Sequence, residues 1–293
     1  MISAQKTLLR YILSDGVILL DLLIKIIEVL DAEMTKPEMY GWFHILWLVI
    51  TAVCTVLLCR FFKAGTDRQV HNVIFITAVT VIVLEIYKQI NYTFTVSDGL
   101  IKTDYQWYAF PFQFCSTPMY VGFLAGIVRK GKLHDALCAY LATYAVFAGL
   151  GVMFYPETVF ISTIGINIQT MICHGSMIAV GAYLLFTGYV KVEHRTILKA
   201  LPVFAVTVSI AVVLNELAHV TGLLETDTFN MFFVSPYCEP SLPVYSLVQG
   251  VVPFPWCLIL YIFGFTAAAY IVLLLAIVIK KMVLKHTKAA ATV

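Results

Sequence analysis

Apolar residues in this chain are gathered into long runs that are separated by short polar stretches. A helix crosses the hydrocarbon layer of a membrane in about 20 residues. Apolar runs of this kind occupy 40–62, 70–92, 108–128, 133–153, 164–190, 198–222 and 255–280. The pattern predicts an all-α, polytopic transmembrane helical bundle of about seven spans. We expect a single transmembrane domain over 1–293, with the core bundle over 40–282.

The segment before the first run, residues 7–30, has a different pattern. Four polar positions fall on one stripe of a helix whose other positions are mostly Leu and Ile: Ser14, Asp21, Lys25 and Glu28. Such a stripe is typical of an amphipathic helix that lies in the membrane interface. With Asp21 and Lys25 paired one turn apart, the segment could instead span as an eighth helix.

The connections between the apolar runs alternate in charge. Basic residues occupy every second connection and the end of the chain: Arg60, Lys63, Arg68, Arg129, Lys130, Lys132, Lys191, Arg195, Lys199, Lys280, Lys281, Lys285 and Lys288. The charged residues of the intervening connections are mostly acidic: Asp98, Asp104, Glu157, Glu225, Asp227 and Glu239. Because basic loops stay in the cytoplasm, the pattern predicts an integral membrane protein with a cytoplasmic C-terminus.

The longest connection, residues 224–255, is rich in proline and aromatic residues instead of serine and glycine. This composition is not typical of a flexible linker. We expect a fixed loop that folds over the outer mouth of the bundle as a cap.

The composition of the chain agrees with this architecture and argues against some classes of binding partner. Hydrophobic residues make up 61% of the chain and charged residues only 12%, too few to give a bundle of this size a polar surface. The net charge of +2, without a basic cluster, makes a nucleic-acid partner unexpected. The seven cysteines form no CxxC pair and no zinc-like spacing with histidine, so we expect no metal site and no cofactor.

Polar residues inside the predicted spans gather in their outer halves. They are Glu85, Lys88, Gln89, Gln113, Cys115, Asn167, Gln169, His174, Asn215, Glu216 and His219. A polar side chain at membrane depth is costly, and each one is a candidate for function. The alternative is structural: Glu85 and Lys88, three residues apart, would form a buried pair, and the amides would join helices.

Cys115 stands in an unusual context for a membrane cysteine, because prolines lie four residues before it and three after it. Pro111 suits the first turn of a helix, which would place Cys115 near the positive helix end and lower its thiol pKa. Pro118 cannot donate to the carbonyl of Phe114, so we expect a loosened helix beside the thiol.

A nucleophilic thiol needs a base, and His174 is the best-placed histidine in the spans, with His219 as its competitor. Gly175, beside His174, would let a helix or ligand approach closely. In such a pair the imidazole takes the thiol proton, and the thiolate attacks an ester carbonyl to form an acyl-thioester. Amide groups of Gln113, Asn215 or Asn230 are candidates for stabilising the oxyanion.

These residues lie in a series of elements that resembles the YwaF-like bacterial integral membrane proteins, which are related to the animal ether-phospholipid acyltransferase called transmembrane protein 164. The matching elements are Pro111-Phe-Gln-Phe-Cys-Ser116, His174-Gly175, Asn215, Phe229-Asn-Met-Phe-Phe-Val-Ser-Pro236 and Pro253-Phe-Pro-Trp256. One departure is that the family's usual Asn-Tyr reads Asn230-Met231, so a tyrosine hydroxyl near the cap is missing or comes from Tyr237.

The resemblance implies a multi-helix protein of the bacterial plasma membrane in which Cys115 carries the acyl group and His174 is its base. It implies phospholipid and lysophospholipid substrates, since the animal relative transfers polyunsaturated acyl groups between phospholipids. Three alternatives stay open: a phospholipase-like hydrolase with the same dyad, a lipid-binding protein, and a transporter. For a transporter, Glu85, Lys88, Glu216 and His219 would line the path.

Overall fold

A computed structural model describes residues 18–63, 66–222, 228–239, 242, 245–249 and 251–290. Its helices are α1 (18–30), α2 (Trp42–Phe61), α3 (Asp67–Asn91), α4 (Thr117–Ile127), α5 (Lys132–Tyr140), α6 (Val146–Phe154), α7 (Ile164–Phe186), α8 (Thr196–Thr221) and α9 (Phe254–Ala290). A π-helical turn, Leu141–Ala145, joins α5 to α6 in one continuous helix. The prediction of an all-α polytopic bundle is confirmed.

Six of the seven predicted runs form helices that are long and apolar enough to cross a membrane. The remaining run, 108–128, is different: its helix, α4, has only 11 residues and begins at Thr117. Pro111 therefore does not start the helix, and Pro118 does not loosen one, because Pro118 lies in the first turn of α4. Proline fits there since the first N–H groups of a helix have no intrahelical acceptor.

The N-terminal helix α1 is described only from residue 18, and the earlier part of segment 7–30 lies outside the described residues. The predicted pair of Asp21 and Lys25 is present, with 2.7 Å between carboxylate and ammonium. The end of α1 is attached to α3, because the Tyr87 hydroxyl donates to the carbonyl of Leu30 at 2.8 Å. The strand-like pairing of Glu33 with Thr163 continues this attachment to the start of α7.

Contacts between distant segments define two ends of the bundle. At the end that carries the basic connections, Lys130 pairs with Asp67 at 2.6 Å, and the His71 ring stacks on the His134 ring. At the opposite end a β-hairpin, β1 (Phe94–Ser97) with β2 (Leu100–Thr103), follows α3. Its turn residues Asp98 and Gly99 both have positive φ, as a two-residue hairpin turn requires.

The cap segment 224–255 is described in part, and the described part packs into the bundle. Phe229, Met231, Phe232 and Val234 are all 2% exposed or less. The Phe232 ring lies against Phe114 of the segment before α4, among other rings. Residues 223–227, 240–241, 243–244 and 250 lie outside the described residues.

Candidate active site

Cys115 lies in an irregular segment, residues 110–116, that we call the Cys115 turn. The backbone N–H groups of Ser116 and Thr117 both donate to the carbonyl of Gln113, at 2.9 and 3.1 Å, and lead the chain into α4. The Thr117 hydroxyl donates to the carbonyl of Phe114 at 2.9 Å and lies 2.8 Å from the Tyr140 hydroxyl. These bonds fix the turn against the helix that contains the π turn.

Burial raises the pKa of the Cys115 thiol, and the nearby Lys88 ammonium opposes this shift without cancelling it. The expected lowering of the thiol pKa by a helix end is therefore wrong. Desolvation disfavours the thiolate more strongly than the Lys88 ammonium favours it. Such a thiol needs a base at the moment it reacts.

Gln113, in the same turn, is bound on both sides of its amide to a loop far along the chain. Its amide nitrogen donates to the carbonyl of Asn230 at 3.0 Å, and its oxygen accepts the Phe232 N–H at 2.9 Å. The Cys115 turn is thereby tied to the cap segment. We call residues 229–235 the clamp loop.

Asn215 of α8 holds the clamp loop from its other side. Its amide donates to the carbonyl of Met231 at 3.0 Å and accepts the N–H of Met231 at 2.8 Å, in a buried environment. Asn230 accepts the N–H of Ser235 at 3.0 Å and so closes the loop on itself. The three amides predicted as oxyanion donors thus lie close together, and each of them forms hydrogen bonds with backbone groups of the clamp loop.

The clamp loop contains two strained residues. Phe232 and Phe233 have φ values of 58° and 56°, in the left-handed region that residues with a side chain rarely occupy. Each such residue costs about 1–2 kcal/mol. The bonds from Gln113 and Asn215, and one from the Tyr261 hydroxyl to the carbonyl of Phe232 at 2.9 Å, hold this conformation. Strain of this kind is often found at functional sites.

His174 lies in the middle of α7 and is only 6% exposed. Its Nδ1 is 2.7 Å from the carbonyl of Thr170. Because a carbonyl can only accept, Nδ1 carries the proton of the neutral ring, which leaves a lone pair on Nε2. This Nε2 is buried without a hydrogen-bond partner in the described chain. An oriented imidazole with a vacant lone pair is the form that a general base takes.

Cys115 and His174 belong to the same region of the bundle, but no hydrogen bond joins them. Met119 of α4, four residues after Cys115, packs against Cys173, the neighbour of His174. The segments that carry the two predicted catalytic residues are therefore in contact, but the two residues are not joined as a pair.

Glu85 and Lys88 form the buried pair that their spacing predicts, with 2.8 Å between ammonium and carboxylate. Gln89 also donates to Glu85, at 2.7 Å, and Gln169 of α7 approaches the other carboxylate oxygen at 3.5 Å. The Tyr105 hydroxyl completes the network by donating to the Gln89 oxygen at 2.6 Å. The sequence did not predict a role for Tyr105 in this network, since no local pattern connects it with Gln89.

Glu216 and His219 do not join this buried network. Both are exposed, at the end of α8, where they bind Tyr237 of the cap segment. The Tyr237 hydroxyl donates to Glu216 at 2.8 Å, and its ring stacks on the His219 ring with 3.5 Å between centroids. The polar residues expected at a single depth therefore divide into a buried and a surface group.

Tyr140 is a further residue that sequence reasoning missed. It is fully buried, precedes the π turn and contacts Thr117 two positions after Cys115. A π turn leaves no clear signal in a hydrophobic pattern, although such turns are frequent at functional sites. Within the described part of the chain, no group of three or more His, Cys, Asp or Glu side chains is arranged to hold a metal ion.

Together these features define an integral membrane protein, a polytopic helical bundle with a buried polar network beside a half-buried cysteine. The chain belongs to the TMEM164 family, whose family model matches residues 39–277. The match includes every residue of the Cys115 turn, the clamp loop and the Glu85 network. Neither a curated protein nor a solved structure matches the sequence. Membership of this family is compatible with a membrane protein that modifies lipids.

Proposed function

We propose that this protein is a membrane-embedded phospholipid acyltransferase in which Cys115 carries the acyl group and His174 acts as the base. The observation that carries the proposal is the state of His174. Its ring is oriented by the carbonyl of Thr170, and its Nε2 is buried without a partner in the region that contains Cys115. Leaving a buried polar atom unpaired is costly, so such an atom calls for a function.

The proposed reaction has two steps. In the first, Nε2 of His174 takes the thiol proton, and the sulfur of Cys115 attacks an ester carbonyl of a phospholipid. The bond between the carbonyl carbon and the alcohol oxygen breaks, and the imidazolium gives its proton to that oxygen, which releases a lysophospholipid. In the second, the hydroxyl of an acceptor lysophospholipid loses its proton to His174 and attacks the thioester carbonyl. The bond between the carbonyl carbon and the sulfur breaks, and the imidazolium returns its proton to the sulfur of Cys115, which leaves a diacyl phospholipid and the free thiol.

The first step requires the Cys115 turn to bring the thiol to Nε2 when substrate is bound. Catalytic hydrogen bonds are often long in unliganded enzymes and shorten only in the reacting complex. The raised pKa of Cys115 agrees with this order, because the thiol stays protonated until the base reaches it.

The oxyanion of the tetrahedral intermediate needs donors other than the predicted amides. Gln113, Asn215 and Asn230 hold the clamp loop, so we assign them to positioning the Cys115 turn. The backbone N–H of Cys115 itself makes no hydrogen bond to another backbone group in the described chain and lies just before α4. A backbone N–H at a helix N-terminus is a suitable oxyanion donor.

The proposed site lies at the end of the bundle opposite the basic connections. With those connections in the cytoplasm, lipid would enter from the outer leaflet of a bacterial plasma membrane. The distribution of buried side chains favours an enzyme over a carrier. Between the Glu85 network and the basic end, α3 buries the apolar residues Ile74, Ala78 and Val81, which offer no polar route for an ion or solute.

The test uses purified full-length protein in lipid nanodiscs that contain an isotope-labelled phospholipid. Mass spectrometry should find a labelled, hydroxylamine-sensitive thioester on Cys115, and none in Cys115→Ala. In His174→Ala the rate of thioester formation should fall by about 10²–10⁴, the usual contribution of a general base. Cys54→Ala, which removes an exposed cysteine of α2, serves as the matched control. Unchanged lipid turnover in Cys115→Ala would refute the proposal.

Transfer and hydrolysis are separated by adding a lysophospholipid acceptor to the same reaction. Transfer predicts a labelled diacyl product that increases with acceptor concentration. A phospholipase-like hydrolase with the same dyad would release labelled fatty acid instead, at a rate that the acceptor does not change.

A further inference from the structure

A cavity of about 370 Å³ opens on the side of the bundle between α3 and α4. Its volume is at the lower end of the range of about 300–1,000 Å³ that is usual for ligand sites. This is room for one hydrocarbon chain but not for a whole phospholipid with two chains. The mouth of the cavity lies between Ile86, which is 56% exposed, and Tyr120, which is 38% exposed. Both side chains are exposed on the surface of the bundle, so in a membrane this mouth would face the lipid.

The polar groups in the cavity wall all have partners within the protein. Glu85 binds Lys88 and Gln89. Gln89 donates to the carbonyl of Ala109 as well and accepts from Tyr105.

The remaining hydroxyls of the wall are satisfied in the same way. Thr93 donates its hydroxyl to the carbonyl of Gln89, and Tyr120 donates to the carbonyl of Pro111 at 2.8 Å. The wall is otherwise apolar. A polar ligand would therefore find no vacant side-chain donor in it, whereas a hydrocarbon chain loses nothing by entering.

The inner wall of the cavity is formed by residues on both sides of Cys115. Pro111 belongs to the Cys115 turn, and Met119 belongs to the first turn of α4. Met119 also packs against Cys173, the neighbour of His174. A chain in the cavity thus lies alongside the segment that carries the proposed nucleophile.

We propose that this cavity binds one acyl chain of a glycerophospholipid and presents its ester to Cys115, an inference that rests on the proposed function. The chain is esterified and not free, because the described wall of the cavity contains no cationic side chain and its carboxylate, Glu85, is already paired with Lys88. The carboxylate of a free fatty acid would be desolvated there without a partner, whereas an ester is neutral. The second chain and the headgroup remain in the bilayer.

The experiment places the full-length protein in nanodiscs of phosphatidylethanolamine and phosphatidylglycerol that contain a phosphatidylethanolamine with a diazirine on one acyl chain. After irradiation, mass spectrometry should locate adducts on peptides that contain Ile86 and Met119. Ile86→Trp fills the mouth and should reduce these adducts at least tenfold. Val83→Trp is the matched control: Val83 is 58% exposed on the same helix but does not line the cavity, and its adducts should stay at the wild-type level.

A second variant with a smaller side chain at the same position distinguishes a blocked mouth from a folding defect. Ile86→Ala widens the mouth and should keep or increase the adducts. Adducts spread evenly over the lipid-facing helices, or unchanged in Ile86→Trp, would overturn the proposal. So would stronger labelling of the cavity by a free diazirine fatty acid than by the phospholipid probe.

Cys115→Ala separates this proposal from the proposed function, since chain binding does not need the thiol. Cavity adducts in Cys115→Ala, together with a wild-type protein that forms no thioester, would support the cavity and reject the acyltransferase. A thioester on Cys115 without cavity adducts would support the acyltransferase and reject the cavity.

Discussion

Asn215 is the residue whose loss should release the clamp loop from the bundle. In Asn215→Ala the N–H of Met231 loses its partner in a buried environment, and the carbonyl of Met231 keeps only the N–H of Val234, at 3.4 Å. An unsatisfied buried N–H costs about 1–3 kcal/mol and the weakened carbonyl adds to this cost, so the loop loses about 2 kcal/mol or more. The left-handed residues Phe232 and Phe233 store strain of about 1–2 kcal/mol each. The loss is thus as large as the strain it opposes, and the loop should open locally while the bundle stays folded.

Hydrogen–deuterium exchange with mass spectrometry measures this opening directly. Since 1.4 kcal/mol corresponds to a factor of ten, a loss of about 2 kcal/mol speeds exchange by about 30-fold. We expect at least this change in peptides of the clamp loop, with only a small decrease in melting temperature. Because Gln113 connects the loop to the Cys115 turn, thioester formation on Cys115 should also slow.

Asn167 provides a matched control, because it makes the same pair of bonds elsewhere. Its amide accepts the N–H of Ile161 at 3.0 Å and donates to the carbonyl of Ile161 at 2.8 Å. Asn167→Ala should speed exchange in the segment before α7 and leave the clamp loop unchanged. If Asn215→Ala leaves exchange in the clamp loop at the wild-type rate, the assignment of Asn215 as the anchor of this loop is refuted.

Three further predictions concern the buried network, the packing of α7 and the thiol. Lys88→Met leaves the Glu85 carboxylate without its ion pair and should lower stability by about 3–5 kcal/mol, measured as a lower melting temperature in detergent; the double variant with Glu85→Gln should recover most of this loss. Gly175→Ala places a methyl group 2.5 Å from the Thr51 hydroxyl oxygen and should lower the melting temperature; Thr51→Ala should restore it, and a lack of rescue would contradict the packing. Alkylation of Cys115 by a neutral maleimide should accelerate well above pH 8, since burial raises the thiol pKa and reaction requires the thiolate; a rate that is already maximal at pH 7 would contradict the direction of this shift.

Local sequence features predicted well the structure and the contacts that form within a single helix. Six apolar runs formed spanning helices, and Glu85 paired with Lys88 because residues three apart meet on one helix face. The prediction of a helix loosened by Pro118 is wrong, because proline disrupts the interior of a helix but is favoured in its first turn. Where α4 begins depends on the backbone bonds to Gln113, and these follow from the attachment of that residue to the clamp loop.

The sequence alone determined that this protein is a membrane bundle, where its six long apolar helices lie and which residues are candidates for chemistry, since apolar density and helical spacing are local properties. Only the tertiary structure decided how those candidates are used. Gln113 and Asn230 are 117 residues apart and become partners through folding. Folding also buries the Glu85 network while leaving Glu216 exposed. It also sets the direction in which the pKa of Cys115 shifts. The physical reason is that burial and desolvation depend on distant segments that pack together, which no local pattern records.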